Sequence, residues 1–317
     1  MALTLEQYAA FLETRNLAWP APPPQQSPKA KPHLIAMPDV RLVTWNVYGT
    51  LLSIVSGNLF FEHPHKFVMD VALDKTVGEF KMWGSMTRKP GQPSEYMNEI
   101  YRRVLDEQRL APSQGERHPE ILSERVWSGI LKKLFQKEYK FDAGFYGSLN
   151  EYAKKVAYFF HASLQGTAAY EGAARALEHV HSCGLMQGLI ADAQCFTIVQ
   201  LQRGLAAQSS VRVDDAIDKK LRALSCEIGG RTPSERLFKH LLQAAGQQGI
   251  SAGQILHIGS RIVEDIAPAR RYGMRTALFA GDAESLSATA KQLKDAATRP
   301  DCLLTELTQI TEIISPR

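Results

Sequence analysis

The sequence offers no cysteine framework. Its four cysteines, Cys183, Cys195, Cys226 and Cys302, stand apart with no CxxC pair, which excludes a disulfide scaffold and a zinc ribbon and predicts reduced, buried thiols. No run approaches the ~20 apolar residues of a membrane span. The first residues show no basic segment leading into an apolar core, so a cytoplasmic protein with no membrane partner is expected. Lys and Arg form nothing longer than local pairs such as Lys132-Lys133, and the formal charge is only +4; nucleic acid is not an expected partner. The pairs His63/His65 and His179/His181 lack an accompanying Cys or carboxylate cluster and read as packing rather than metal ligation. No internal repeat is visible.

What is present is core-forming material: 317 residues, 44% hydrophobic and 22% charged, enough for two domains. Residues 1–37 read as a short amphipathic helix, "LTLEQYAAFLETRNL", with Leu5, Tyr8 and Leu12 at helical spacing behind a Thr4 N-cap, followed by a Pro-rich linker. Such a segment either docks a partner or is a strap on its own domain or a partly disordered tail, and one of the latter is the simpler reading. From residue 40 compact apolar runs begin: "VRLVTWNV", then "GLMQGLIA", "RALSCEI", "QILHIG" and "MRTALFA". Helical stretches separate the later runs, one starting at a Ser234 N-cap and one ending at Gly273 with Pro268 confined to its first turn. This alternation predicts an α/β class, a doubly wound, Rossmann-like parallel sheet with its ligand site beyond the carboxyl ends of the strands. Residues 38–55 and 166–317 form that core. Residues 56–165 carry only helical patterns and predict a cap inserted after the first strand. Its aromatic residues Trp83, Tyr96, Tyr101 and Trp127 fit a small cap core better than an interface.

A first strand running into "NVYGTLL", a helical insertion, and the later segments "YEGAARALEHVHSCGLMQGLIAD", "TPSERLF" and "ILHIGSRIVEDIAPARRYGMRTALF" together resemble the haloacid dehalogenase (HAD) superfamily, specifically its dehalogenase-like branch with a helical cap. The resemblance spans about residues 40 to 317 and implies a hydrolase fold. In that family the first strand ends in a nucleophilic aspartate that also binds Mg²⁺ in the phosphatases; the matching residue here is Asn46, whose amide is a poor nucleophile. The acid/base position two residues later is Tyr48. The hydroxyl donor after the second strand is replaced by Ala191, the lysine by Thr232, and the first acid of the fourth loop by Ser260, while Asp265 keeps the later acid.

The resemblance therefore implies a catalytically degenerate hydrolase, a pseudoenzyme that acts by binding or scaffolding, with no catalytic residue, no cofactor and the Mg²⁺ site lost. Asn46, Tyr48, Gly49, Thr50, Asp192, Arg231, Arg261 and Asp265 remain as candidate ligand-binding residues, Arg231 standing in for the lysine's charge. Asp265 is expected to face Arg231 or Arg261. An anion held by the amides of the "VYGT" loop and Arg231 is one such function; a protein partner met through residues 1–37 or the cap is another. The alternative is an active phosphatase or dehalogenase-like hydrolase with a rearranged site that recruits Asp192, assisted by Tyr48 or Cys195. Otherwise Asp192 serves as a helix cap.

Overall fold

The computed structural model describes residues 2–85, 93–111 and 115–315. Residues 86–92 and 112–114, within the stretch expected to form the cap, lie outside that description, as do Met1 and the last two residues.

Helix α1 (Leu5–Glu13) opens the chain. A capping box between Thr4 and Gln7 starts it, and its apolar face buries Tyr8, Ala9 and Leu12. Strand β1 (Leu42–Trp45) follows, buried at every position because both of its faces are covered. A short antiparallel pair, β2 (Leu52–Ser53) with β3 (Ala168–Ala169), marks where the chain leaves the sheet and returns. Between them run α2 (Lys66–Glu79), α3 (Pro93–Arg109), α4 (Ser123–Phe135), the single turn α5 (Ala143–Tyr146) and α6 (Leu149–Leu164). Among these helices Tyr101 and Trp127 are fully buried and pack against Phe160, with ring centroids 5.0 and 5.2 Å from it. Trp83, in contrast, is 44% exposed.

After β3 come α7 (Ala173–Ser182), β4 (Met186–Ala191), α8 (Thr197–Ala206), the turn α9 (Val213–Ala216), β5 (Arg222–Leu224), the turn α10 (Ser225–Ile228) and α11 (Glu235–Gln247). Strand β6 (Ile255–Gly259), a π-helical turn at Ile262–Ile266, α12 (Ala267–Arg271), β7 (Arg275–Phe279), β8 (Cys302–Leu304) and α13 (Ile310–Ile313) complete the chain. The six-stranded sheet has the order β5-β4-β1-β6-β7-β8, and all its neighbours are parallel. It is a Rossmann-like α/β core beneath helices, as the sequence predicts. Among the described residues no helix is long and apolar enough to cross a membrane.

Two elements differ from expectation. "RALSCEI" is extended only over its first three residues, because the Ser225 hydroxyl accepts the Ala193 amide and the chain turns, closing at left-handed Gly229. Strand β8, only three residues long, carries too little periodicity to stand out in the sequence.

The N-terminal segment is a strap. Besides α1 in the cap core, Trp19 meets Phe159 edge-on at 5.3 Å. A Cβ on Gly166 would lie 2.4 Å from the Pro20 and Ala21 backbone, so only glycine lets the linker approach there. Further on, the Gln26 amide donates to Asp282, the Ala283 amide donates back to Gln26, and His33 exchanges two backbone bonds with Leu303 on the edge strand. Of the four thiols, Cys183 and Cys302 are buried, whereas Cys195 and Cys226 are half-buried.

Candidate functional site

The ends of β1, β4 and β6 and the start of α10 converge on one small cluster. Asn46 leaves β1 with its backbone held by the Ile258 carbonyl, and both polar atoms of its side chain are engaged: Oδ1 accepts the Val47 amide at 2.7 Å and Nδ2 donates to Asp265 Oδ1 at 3.0 Å. Asp265 is completely buried at the π-helical turn. Its Oδ2 accepts the amides of Ser260 and Arg261, and its Oδ1 also receives the Arg261 guanidinium at 3.3 Å. Four donors thus fill one carboxylate.

Arg261 is the centre of the arrangement. Its guanidinium donates to Asn58 Oδ1, Thr232 Oγ1 and Asp265, and approaches Asp192 at 3.7 Å. Burial opposes its charge, but the carboxylates of Asp265, Asp192 and Glu264 outweigh that and hold its pKa above the ordinary arginine value. Sequence reasoning assigned the compensating cation to Arg231 as readily as to Arg261. The structure assigns Asp265 to Arg261, while Arg231 lies on the far side of Asp192 at 3.4 Å. Asp192 is no helix cap: it accepts the Thr232 amide at 2.6 Å and the Thr232 hydroxyl at 3.1 Å, and α8 begins only at Thr197. Thr232 thus gives the loop a neutral anchor where the resemblance implies a lysine.

The other candidates are placed as follows. Tyr48 turns its hydroxyl towards α8, bonded to Gln200 at 2.6 Å and Thr197 at 3.0 Å, and burial pushes its pKa well up. The amides of Val47, Gly49, Thr50 and Leu51 all have acceptors inside the turn. Gly49 has φ +79°, and a Cβ there would meet Ser260 Oγ at 2.8 Å. Ala191 is buried at the end of β4. Thr50 Oγ1 and Ser260 Oγ are buried and, among the described residues, have no partner.

Sequence reasoning missed Glu120, which the cap contributes. The segment around Pro119 bridges Gly230, with the Arg231 amide donating to the His118 carbonyl and the Glu120 amide to the Gly229 carbonyl. Glu120 enters the cluster almost fully buried, accepting from the Ser225 hydroxyl and from Gln194 Nε2, with Arg231 at 3.9 Å. Burial raises its pKa to about 7; Arg231 and Ser225 pull it down, and Asp192 adds to the rise. No spacing in the sequence connects residue 120 with the strand ends. The space left among Asn46, Asn58, Glu120, Asp192, Arg231 and Arg261 is about 20 Å³, room for one water.

The shift at Glu120 carries a pH dependence. A carboxyl whose folded pKa lies above its unfolded value of 4.5 contributes stability that is fully present below that value and is lost as pH rises through about 7. The cost on the alkaline side is about 3 kcal/mol. Thermal unfolding of the wild type is therefore expected to move to lower temperature between about pH 4.5 and pH 7, while Glu120→Gln, which keeps the shape and an acceptor, loses this contribution to the slope over that window. Parallel curves for the two proteins would rule out Glu120 as the titrating group.

No family model and no curated protein matches the chain. Among solved structures, a 2-haloacid dehalogenase from Pseudomonas syringae pv. Tomato DC3000 superposes with a TM-score of 0.50 at 17% identity, over 86% of this chain and 97% of that one. A HAD phosphatase from Thermococcus onnurineus (0.46; 13% identity; 86% and 97% covered) and a predicted phosphoglycolate phosphatase from Haemophilus somnus (0.44; 14%; 87% and 99%) are more distant. The first of these, together with the strand order and the helices inserted after β1, gives the conclusion: this chain has the haloacid dehalogenase fold with a helical cap.

Proposed function

We propose that this chain is a catalytically inert protein on a hydrolase fold, acting by binding rather than by turnover. The observation that carries the reading is the occupation of Asp265 by the Asn46 amide and the Arg261 guanidinium. Where the family resemblance calls for a nucleophile and a divalent cation, there are an amide donor and a buried organic cation. A hard metal needs several free carboxylate oxygens. Here Asp265 is saturated and Asp192 is bound by Thr232 and Arg231, so the residues do not fit Mg²⁺. Among the described residues no three His, Cys, Asp or Glu side chains come together as a metal set.

The rearranged-enzyme alternative gains little from the geometry. The Tyr48 hydroxyl is engaged by Gln200 and Thr197, and burial pushes the Cys195 thiol well up, with Glu124 adding to the rise, which leaves no reactive thiolate. Loss of a comparable nucleophile elsewhere costs about six orders of magnitude in turnover. The purified chain is expected to give no hydrolysis of generic phosphomonoesters or short 2-haloacids above a matched blank. Millimolar Mg²⁺ is expected to leave the melting midpoint unchanged, whereas a ligand at a hundred times its Kd would stabilise by about 2.7 kcal/mol. Turnover abolished by Asp192→Asn, or a Mg²⁺-dependent rise abolished by Asp265→Asn, would overturn the reading.

A further inference from the structure

Behind the bridge that joins cap and core lies a cleft of about 760 Å³, much larger than the space at the strand ends. One wall is the cap segment Gly115–His118; the other is the start of α11 with the π-helical turn and α12. The floor is apolar, with Pro233, Ala267, Pro268 and Val263, the last 49% exposed. The rim carries Arg117, Arg236, Lys239 and Arg271 against only Glu116 and Glu235. Those two carboxylates are already taken, Glu116 by Arg236 at 3.2 Å and by the Ser234 hydroxyl, Glu235 by Lys239 at 2.7 Å. Among the described residues no ion pair within 4.0 Å holds Arg117 or Arg271, one on each wall.

We infer that this cleft is a docking groove for an acidic peptide segment of a partner protein, with spaced carboxylates meeting Arg117 and Arg271 and an aliphatic side chain seated on Val263 and Pro268. Charge complementarity selects the class: four cationic side chains against two carboxylates already paired, with apolar residues between the walls, suit alternating acidic and aliphatic residues. A nucleic-acid strand fits less well, because Glu116 and Glu235 interrupt the basic track and the lining holds no Phe, Tyr or Trp for base stacking. The walls come from cap and core, so the groove exists only while the bridge at Pro119 and Gly230 is closed. The inference goes beyond the inert-hydrolase reading and does not depend on it, since the cleft lies outside the strand-end cluster.

The test is fluorescence anisotropy of the full chain with a labelled peptide of about twelve residues, alternating glutamate with leucine and serine. Binding on the order of 10 µM at low salt, weakening as salt rises, is expected. Arg117→Glu/Arg271→Glu should weaken it about tenfold or more, while the same charge change on the linker, Lys29→Glu/Lys31→Glu, should leave it unchanged. Both substituted arginines are exposed, and unaltered melting would confirm that the fold is kept. Equal loss in the two variants, no binding of the peptide by the wild type, or tighter binding of a single-stranded oligonucleotide of equal length would each overturn the assignment.

Discussion

Arg261→Met is expected to destabilise the protein by about 3 kcal/mol, because removing one partner of a buried ion pair leaves the other uncompensated. The substitution keeps most of the aliphatic stem but removes, among the described residues, the only charged donor to Asp265 and one of two cations beside Asp192. The loss belongs at the low end of the usual range, since Asp265 retains the Asn46 amide and two backbone N–H groups and Asp192 retains Thr232. For a chain of this size that is a fall of about 4–5 °C in the melting midpoint. Adding Asp265→Asn should recover part of it, because the double variant no longer buries an unpaired negative charge. If the single variant melts with the wild type, or the double variant is worse by the full sum of both changes, the guanidinium is not what balances the cluster.

Much of this was legible in the sequence. Buried parallel strands announce themselves as apolar runs ending in turn residues, so β1, β4, β6 and β7 and the helical insertion could be read directly; Ser234 and Thr4 declare their helices by capping chemistry. Asn46, Ala191, Thr232 and Ser260 were also visible as replacements, because a side chain's inability to attack or donate is a property of the residue itself. The pairing of charges was not. Which arginine meets Asp265 depends on a π-helical turn that carries Arg261 inward, and that turn has no composition of its own. Glu120 reaches the cluster because the cap closes over the strand ends, a tertiary event with no local signal. The helix-cap reading of Asp192 failed for the same reason: its donors are 40 residues away at Thr232.

The second large effect concerns the residue at the end of β1. Asn46→Asp restores the nucleophile that the resemblance implies, yet it is expected to yield no turnover and a protein about 2–4 kcal/mol less stable at neutral pH. The substitution turns a donor to Asp265 Oδ1 into an acceptor at about the same 3.0 Å, and two buried carboxylates at that separation cannot both stay ionised cheaply. One of them takes a raised pKa, so the lost stability should return on acidification and grow as pH rises through that pKa. On the proposed reading no turnover follows, because the positions to which the resemblance gives a hydroxyl, a lysine and a first acid are still Ala191, Thr232 and Ser260, and the space beside them has room for only one water. Mg²⁺ should not rescue the single variant while Arg261 occupies Asp265. It should raise the midpoint of Asn46→Asp/Arg261→Ala, where the introduced carboxylate, Asp265 and Asp192 are left without the guanidinium between them. Melting the three proteins with and without Mg²⁺ at two pH values decides the matter: a Mg²⁺ response or phosphatase turnover in Asn46→Asp alone would mean that Arg261 does not close the metal position.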